Sequence, residues 1–202
     1  MNSLKHWNHN VAYYRWISAQ LRGCSTVLDV GCGDGSLAKY LSRPGRTVLG
    51  IDPSEDCIMS AEREFCEGAR FEVRSFEKFE AAPGSFDAVV FCASLHHMDM
   101  EPALEKAVGL LRGCGRLAVV GLASPSGLAD RMIDVCRVVP SALGSRLHKM
   151  CSSEELGLPT SYVFPKMAEV RDAAERLLPG ASIRYGLYWR YLLCWQKPCG
   201  QN

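Results

Sequence analysis

Two structural periods alternate along this chain, and their alternation restricts the fold more than any other feature. Short runs rich in β-branched and apolar residues recur at Thr26 to Val30, Thr47 to Ile51, Arg70 to Arg74, Phe86 to Phe91 and Arg116 to Leu122. Each predicts a strand. Between most of them the apolar spacing turns helical, over Ser36 to Leu41, over Glu55 to Cys66 (Ile58, Ala61 and Phe65 on one stripe) and over Glu101 to Leu111 (Ala103, Leu104, Ala107, Val108 and Leu111). Ser54, followed by Glu55 and Asp56, supplies an N-cap hydroxyl and acids for the positive end of a helix. Strands that alternate with helices, and are apolar enough to be covered on both faces, argue for an open parallel sheet wrapped by helices. The connection "SFEKFEAAPG" is short enough that its crossover helix must be small or irregular.

After Leu122 the pattern loosens. Ala123 to Lys166 carries four prolines, with a helical section around Leu128 to Val138. A helix is expected over Met167 to Leu178, and then "ASIRYGL" and "YWRYLLCWQK" read as two strands. Their tight connection near Gly186 to Trp189 predicts antiparallel pairing, because a parallel crossover needs a dozen or more residues. The aromatic residues Tyr185, Tyr188, Trp189, Tyr191 and Trp195 of this pair are expected to pack in the core. Ahead of the first strand, Val11, Tyr14, Ile17 and Leu21 form one face of an amphipathic helix.

Composition narrows the class. With 202 residues, 48% of them apolar, the chain can bury one substantial core. The net charge of +1 lacks the footprint of a general nucleic-acid binder. No apolar run approaches the length needed to span a bilayer, and the polar, aromatic start predicts a cytoplasmic protein. The ten cysteines are scattered singly, so they are expected to be reduced, small buried hydrophobes and not metal ligands.

The chemistry points to "VLDVGCGDGSL". Gly31, Gly33 and Gly35 follow a strand and precede a helix, an arrangement in which free backbone N–H groups and missing side chains let a ligand lie against the main chain. Asp52, at the end of the second strand, can accept hydrogen bonds from both hydroxyls of a ribose. A dinucleotide cofactor requires G-x-G-x-x-G; here the third glycine comes one step early, and Asp29 and Asp34 would stand near a pyrophosphate. A ligand with an ammonium group, a ribose and no phosphate removes both objections. S-adenosylmethionine has these properties and a sulfonium.

The "DVGCGDG" loop, "GID" after the next strand, "GSFDAVVFCASLHHM" and "ALEKAVGLLRGCGRLAVVGL" resemble the class I S-adenosylmethionine-dependent methyltransferases, in particular small-molecule enzymes of the type 11-like kind. The resemblance implies a Rossmann-like, doubly wound α/β sheet of seven strands in the order 3-2-1-4-5-7-6, the seventh antiparallel, as a single domain over 1–202. In it residues 1–22 would form a helical lid and 123–166 a variable substrate-side insertion. By the same resemblance Asp29, Gly31, Cys32, Gly33 and Gly35 hold the methionine part, Asp52 grips the ribose with Pro53 and Ser54 beside it, and Ser75 and Phe76 flank the adenine. An acid is common in the family at the position of Ser75. Cys92, Ala93 and Ser94 would pass near the sulfonium, and Tyr14 would reach the cofactor from the lid.

Methyl transfer is an in-line displacement for which proximity and orientation supply much of the rate. His96 and His97, just past the fourth strand, are candidates for a positioned base. Arg131, Arg146 and His148 are possible polar contacts in the insertion. The expected reaction moves a methyl group to a small-molecule acceptor and yields S-adenosylhomocysteine, with no metal, by a monomer or homodimer. Two other readings stay open: a cofactor-binding partner module without turnover, and an NAD-dependent oxidoreductase that the glycine spacing disfavours.

Overall fold

In the computed structural model, which describes residues 9–63, 66–124, 164–187 and 190–200, the β-branched runs form seven strands of one sheet. They are β1 (Thr26–Val30), β2 (Thr47–Asp52), β3 (Ala69–Val73), β4 (Phe86–Cys92), β5 (Leu111–Leu122), β6 (Ser182–Tyr185) and β7 (Arg190–Gln196). Their order is 3-2-1-4-5-7-6, as expected. The first five run parallel, and β7 lies antiparallel between β5 and β6.

The helices are α1 (Tyr14–Gln20), α2 (Ser36–Leu41), α3 (Glu55–Glu62), α4 (Met100–Leu110) and α5 (Met167–Leu177). On one side of the sheet α4 and α5 pack over Leu28, Val30, Val89, Phe91, Leu117 and Val119. On the other α1 and α2 cover Val27, Val48, Ala88, Val90, Ala118 and Val120. The alternation along each strand assigns neighbours to opposite faces, which is why these runs are apolar throughout. Ile17 and Leu21 bury completely, about 1.5–3 kcal/mol of stabilisation each. The buried Arg46 guanidinium fastens the end of α1 by donating to the carbonyls of Leu21 and Cys24.

Four expectations need correction. The helix predicted through Cys66 ends at Glu62, and Glu64 and Phe65 lie outside the described residues. Strand β5 begins at Leu111, not Arg116, because Leu111 pairs with Phe86 and a register shift then accommodates the following residues, with Cys114 at φ 64°. No helix bridges β3 and β4; a turn does so, and it buries Phe76 and Phe79. The cysteines are not all free: Cys114 and Cys199 form a disulfide across 85 positions, with Cα atoms 4.5 Å apart. The C-terminal segment is brought there by Lys197, whose backbone N–H donates to Gly115 and whose ammonium donates to the carbonyls of Val108 and Leu111.

Tyr191 and Trp195 lie in the core as expected, whereas Tyr188, Trp189, the section Leu128 to Val138 and the candidates Arg131, Arg146 and His148 lie outside the described residues. The ends of the insertion come together: Ser124 N–H donates to Pro165 and Met167 N–H to Ser124. Among the described residues no helix is long and apolar enough to cross a membrane.

Candidate active site

At the carboxyl ends of β1 and β2 three carboxylates, of Asp29, Asp34 and Asp52, come close enough to act on one another. Asp29 is the fourth residue of β1, 1% exposed, and neither carboxylate oxygen has a hydrogen-bond partner among the described residues. Burial pushes its pKa from 3.8 up to about 7, helped by the negative charges of Asp52 and Asp34. A buried, unpartnered carboxylate is costly unless a cation meets it. The hollow thus favours a positive group and disfavours a pyrophosphate.

The three loop glycines all have positive φ (68°, 53° and 73°), but they are bare for different reasons. A Cβ on Gly31 would collide with that of Ser94, and one on Gly35 would come within 2.6 Å of the Phe71 ring. Only at Gly33 would the added atom meet nothing within 4 Å. Two glycines therefore let the loop pack against the protein, and the third faces open space. Cys32 points away from that space: its sulfur packs over Gly50 of β2, where a Cβ would lie 2.9 Å from it, so only its backbone is left to line the loop. Ser94 holds the loop from beneath, its hydroxyl donating to the Val30 carbonyl. Ala93 beside it adopts φ 58°, and its N–H donates to Val120.

Helix α2 has only six residues, and the Ser36 N–H already donates to the Asp34 carboxylate at 3.0 Å. The start of this helix is accordingly an acidic loop, which suits a cation better than a phosphate. Asp52 accepts from Gly33 N–H at 3.0 Å on one oxygen and from Ser54 N–H at 2.9 Å on the other. These bonds fix its plane and leave further lone pairs on both oxygens. Ser54 caps α3 as predicted, accepting from Cys57 N–H, with exposed Pro53 before it.

Around this centre, Tyr14 is buried, and burial with the charges of Cys92, Asp34 and Asp29 holds its hydroxyl well above the usual tyrosine range. The Cys92 thiol is likewise pushed up by burial and by Asp29. Ser75 is half-buried, while the ring of Phe76 lies in the core against Phe91, so only its backbone can meet a ligand. His96 and His97 sit on one turn of 3-10 helix with ring centres 4.0 Å apart. Burial, then the positive neighbours His97 and Arg190, lowers the pKa of His96 to about 4. His97 is more exposed, and the nearby Asp52 partly offsets the lowering that burial causes. The two rings thus serve different surroundings. His96 also borders a cavity of about 290 Å³ with Leu95, Met98, Phe164 and Tyr191, and with the acids Asp99 and Glu169.

Sequence reasoning missed Gly50, Gly121 and Arg190. A Cβ on Gly121 would collide with the Tyr191 ring directly opposite it in the β5–β7 ladder. Arg190 donates to the Asn10 side chain at 2.7 Å, and Tyr13 donates to Leu187 at 2.6 Å, so the N-terminal segment is fastened to the β6–β7 hairpin. "LGID" and the final aromatic strands carried part of this signal, but the cross-strand partners did not follow from it.

A family model described as a methyltransferase domain matches residues 27–115. An uncharacterized methyltransferase of Mycobacterium tuberculosis is 34% identical over 196 residues, 95% of this chain and 98% of that protein. This chain is a class I S-adenosylmethionine-dependent methyltransferase. A protein of Pyrococcus horikoshii shares the fold at a TM-score of 0.69 and 19% identity, over 97% of this chain and 92% of that one. So does a 1,6-didemethyltoxoflavin-N1-methyltransferase of Burkholderia thailandensis, solved with its substrate and S-adenosylhomocysteine (TM-score 0.63, 17% identity, 94% and 78% coverage). The methyltransferase uses S-adenosylmethionine as its donor. The residues present suit that molecule: Asp29, without a hydrogen-bond partner among the described residues, can receive an ammonium, and the space above Gly33 admits a ligand against bare backbone.

Proposed function

We propose that this methyltransferase transfers the donor's methyl group to a small-molecule acceptor held in the cavity beside His96, by in-line displacement. The observation that carries the donor site is the buried Asp29 carboxylate with no hydrogen-bond partner among the described residues. In this reading Asp29 receives the ammonium, and the backbone of Gly31, Cys32, Gly33 and Gly35 cradles the methionine part. Asp52, oriented by Gly33 and Ser54, takes the ribose diol with Pro53 alongside. The Ser75 hydroxyl and the Phe76 backbone meet the adenine edge, Cys92, Ala93 and Ser94 bound the sulfonium region, and Tyr14 closes the site from the N-terminal helical lid.

The donor, when bound, supplies an electrophilic methyl on sulfonium. What the chain adds is orientation, exclusion of water and a base. Neutral His96, facing the cavity, takes the acceptor's proton; His97 packs against it on the Asp52 side. At about 290 Å³ the cavity stands at the small end of ligand pockets, roughly 300–1,000 Å³, and its mixed lining, with Leu95, Met98 and Phe164 beside Asp99 and Glu169, supports a compact acceptor with both apolar and polar groups. The bound substrate of the Burkholderia enzyme is likewise a small molecule.

Two measurements test this. S-adenosylhomocysteine should raise the Tm and NAD should not. A metabolite extract incubated with methyl-labelled donor should yield a labelled small product. Binding without transfer to any fraction would favour the partner-module reading, and label found only in macromolecules would refute a small-molecule acceptor.

A further inference from the structure

The turn between β3 and β4 has little regular hydrogen bonding of its own. Arg74 N–H donates to Asp52, Lys78 N–H to Ser75 and Phe79 N–H to Phe76, the last two at 3.2 Å. Its firmest tether comes from another element. Lys106, half-buried on α4, donates from its ammonium to the carbonyls of Phe76 at 2.7 Å and Glu77 at 3.0 Å. The same ammonium lies 5.2 Å from the centre of the Phe76 ring, which meets Phe91 of β4 edge-on at 5.4 Å. The residue after Ser75 is thus gripped by its carbonyl, by a cation at its ring and by an aromatic partner in the core. A surface lysine with no role would keep its ammonium in water.

Resting on the donor reading above, we infer that Lys106 is a positioning residue for the adenine end of the donor. It acts through the turn and not on the reacting atoms. The chemistry explains why a firm backbone matters in this chain. A serine hydroxyl both donates and accepts, so Ser75 tolerates a 6-amino or a 6-keto purine alike. In this inference the Phe76 backbone N–H meets ring N1, which accepts a hydrogen bond in adenine and bears a hydrogen in hypoxanthine. With a hydroxyl that accepts either purine at Ser75, selection for adenine falls on the Phe76 backbone, and Lys106 holds that backbone still.

The test is calorimetric binding of S-adenosylhomocysteine and of its deaminated counterpart, S-inosylhomocysteine, to wild type, Lys106→Met and Lys106→Arg. Wild type should prefer the adenosyl ligand by roughly tenfold or more, the value of about one well-placed hydrogen bond. Lys106→Met should bind the adenosyl ligand about tenfold more weakly, and the preference should fall below about threefold. Lys106→Arg, which retains donors for both carbonyls, should keep most of it. A merely structural lysine would weaken both ligands equally and leave their ratio intact, and that result, or unchanged affinity in Lys106→Met, overturns the inference. Should Lys106→Met not fold, Lys106→Gln is judged by the same ratio. Wild type that binds neither ligand would instead defeat the donor reading, and this inference with it.

Discussion

Asp29→Asn separates the stability of the fold from the binding of the donor. In the free protein the carboxyl is buried, and its pKa is raised from 3.8 to about 7. An acid whose folded pKa is raised contributes stability that is fully present below pH 3.8 and is lost as the pH rises through about 7. At 1.36 kcal/mol per pH unit, the full rise corresponds to about 4 kcal/mol against the ionised form at alkaline pH, and to about 2.5 kcal/mol between pH 5 and 8. Asparagine has no such dependence; its buried amide costs roughly 1–3 kcal/mol at every pH. Urea unfolding of the ligand-free chains should therefore show the variant gaining about 2.5 kcal/mol on wild type from pH 5 to 8. S-adenosylhomocysteine should reverse the order, stabilising wild type strongly and the variant little, with affinity in the variant lower by roughly 100-fold or more. An unfolding difference that is the same at pH 5 and 8 would refute the buried, ionisable carboxylate, and equal affinity for the ligand would refute its role toward the ammonium.

Other outcomes follow from the same geometry. Gly31→Ala should lose about 3 kcal/mol or more, because a left-handed residue and a collision with Ser94 coincide there. Gly33→Ala should lose only about 1–2 kcal/mol yet bind S-adenosylhomocysteine at least tenfold more weakly, and equal stability losses would contradict the division of roles. His96→Ala should cut transfer to the identified acceptor by roughly 100-fold with donor affinity intact, and His97→Ala by less. With a His96 pKa of about 4, protonation of this base should not depress wild-type turnover until the pH falls well below 6. Unchanged turnover in both variants would remove the histidines from the mechanism. Reducing the Cys114–Cys199 bridge should lower stability by up to about 4.5 kcal/mol, the loop-closure value for its 85-residue span, without altering S-adenosylhomocysteine affinity, because it lies at the end of β5 away from the site. Peptide mapping that finds both thiols free before reduction would rule the bridge out.

Much of this protein was legible along the chain. The strands from Thr26 to Leu122, the antiparallel final pair and the N-cap at Ser54 follow from backbone sterics and from periodicities that span a few residues. So did the placement of Asp29, the glycines and Asp52 at strand ends, because an acid after a β-branched run is a local signal. What each group does depended on neighbours far away in sequence. Gly31 is bare for Ser94, Gly35 for Phe71 and Gly121 for Tyr191, and strand register and the packing between elements bring these partners together. The pairing of Cys114 with Cys199, the different surroundings of the adjacent rings of His96 and His97 and the grip of Lys106 on the Phe76 turn are of the same kind. Sequence alone determined the order of elements, and with it the end of the sheet where ligands bind. Only the folded packing decided that Asp29 would lose its water without gaining a hydrogen-bond partner among the described residues, since desolvation belongs to everything that surrounds a side chain and not to the residues beside it in the chain.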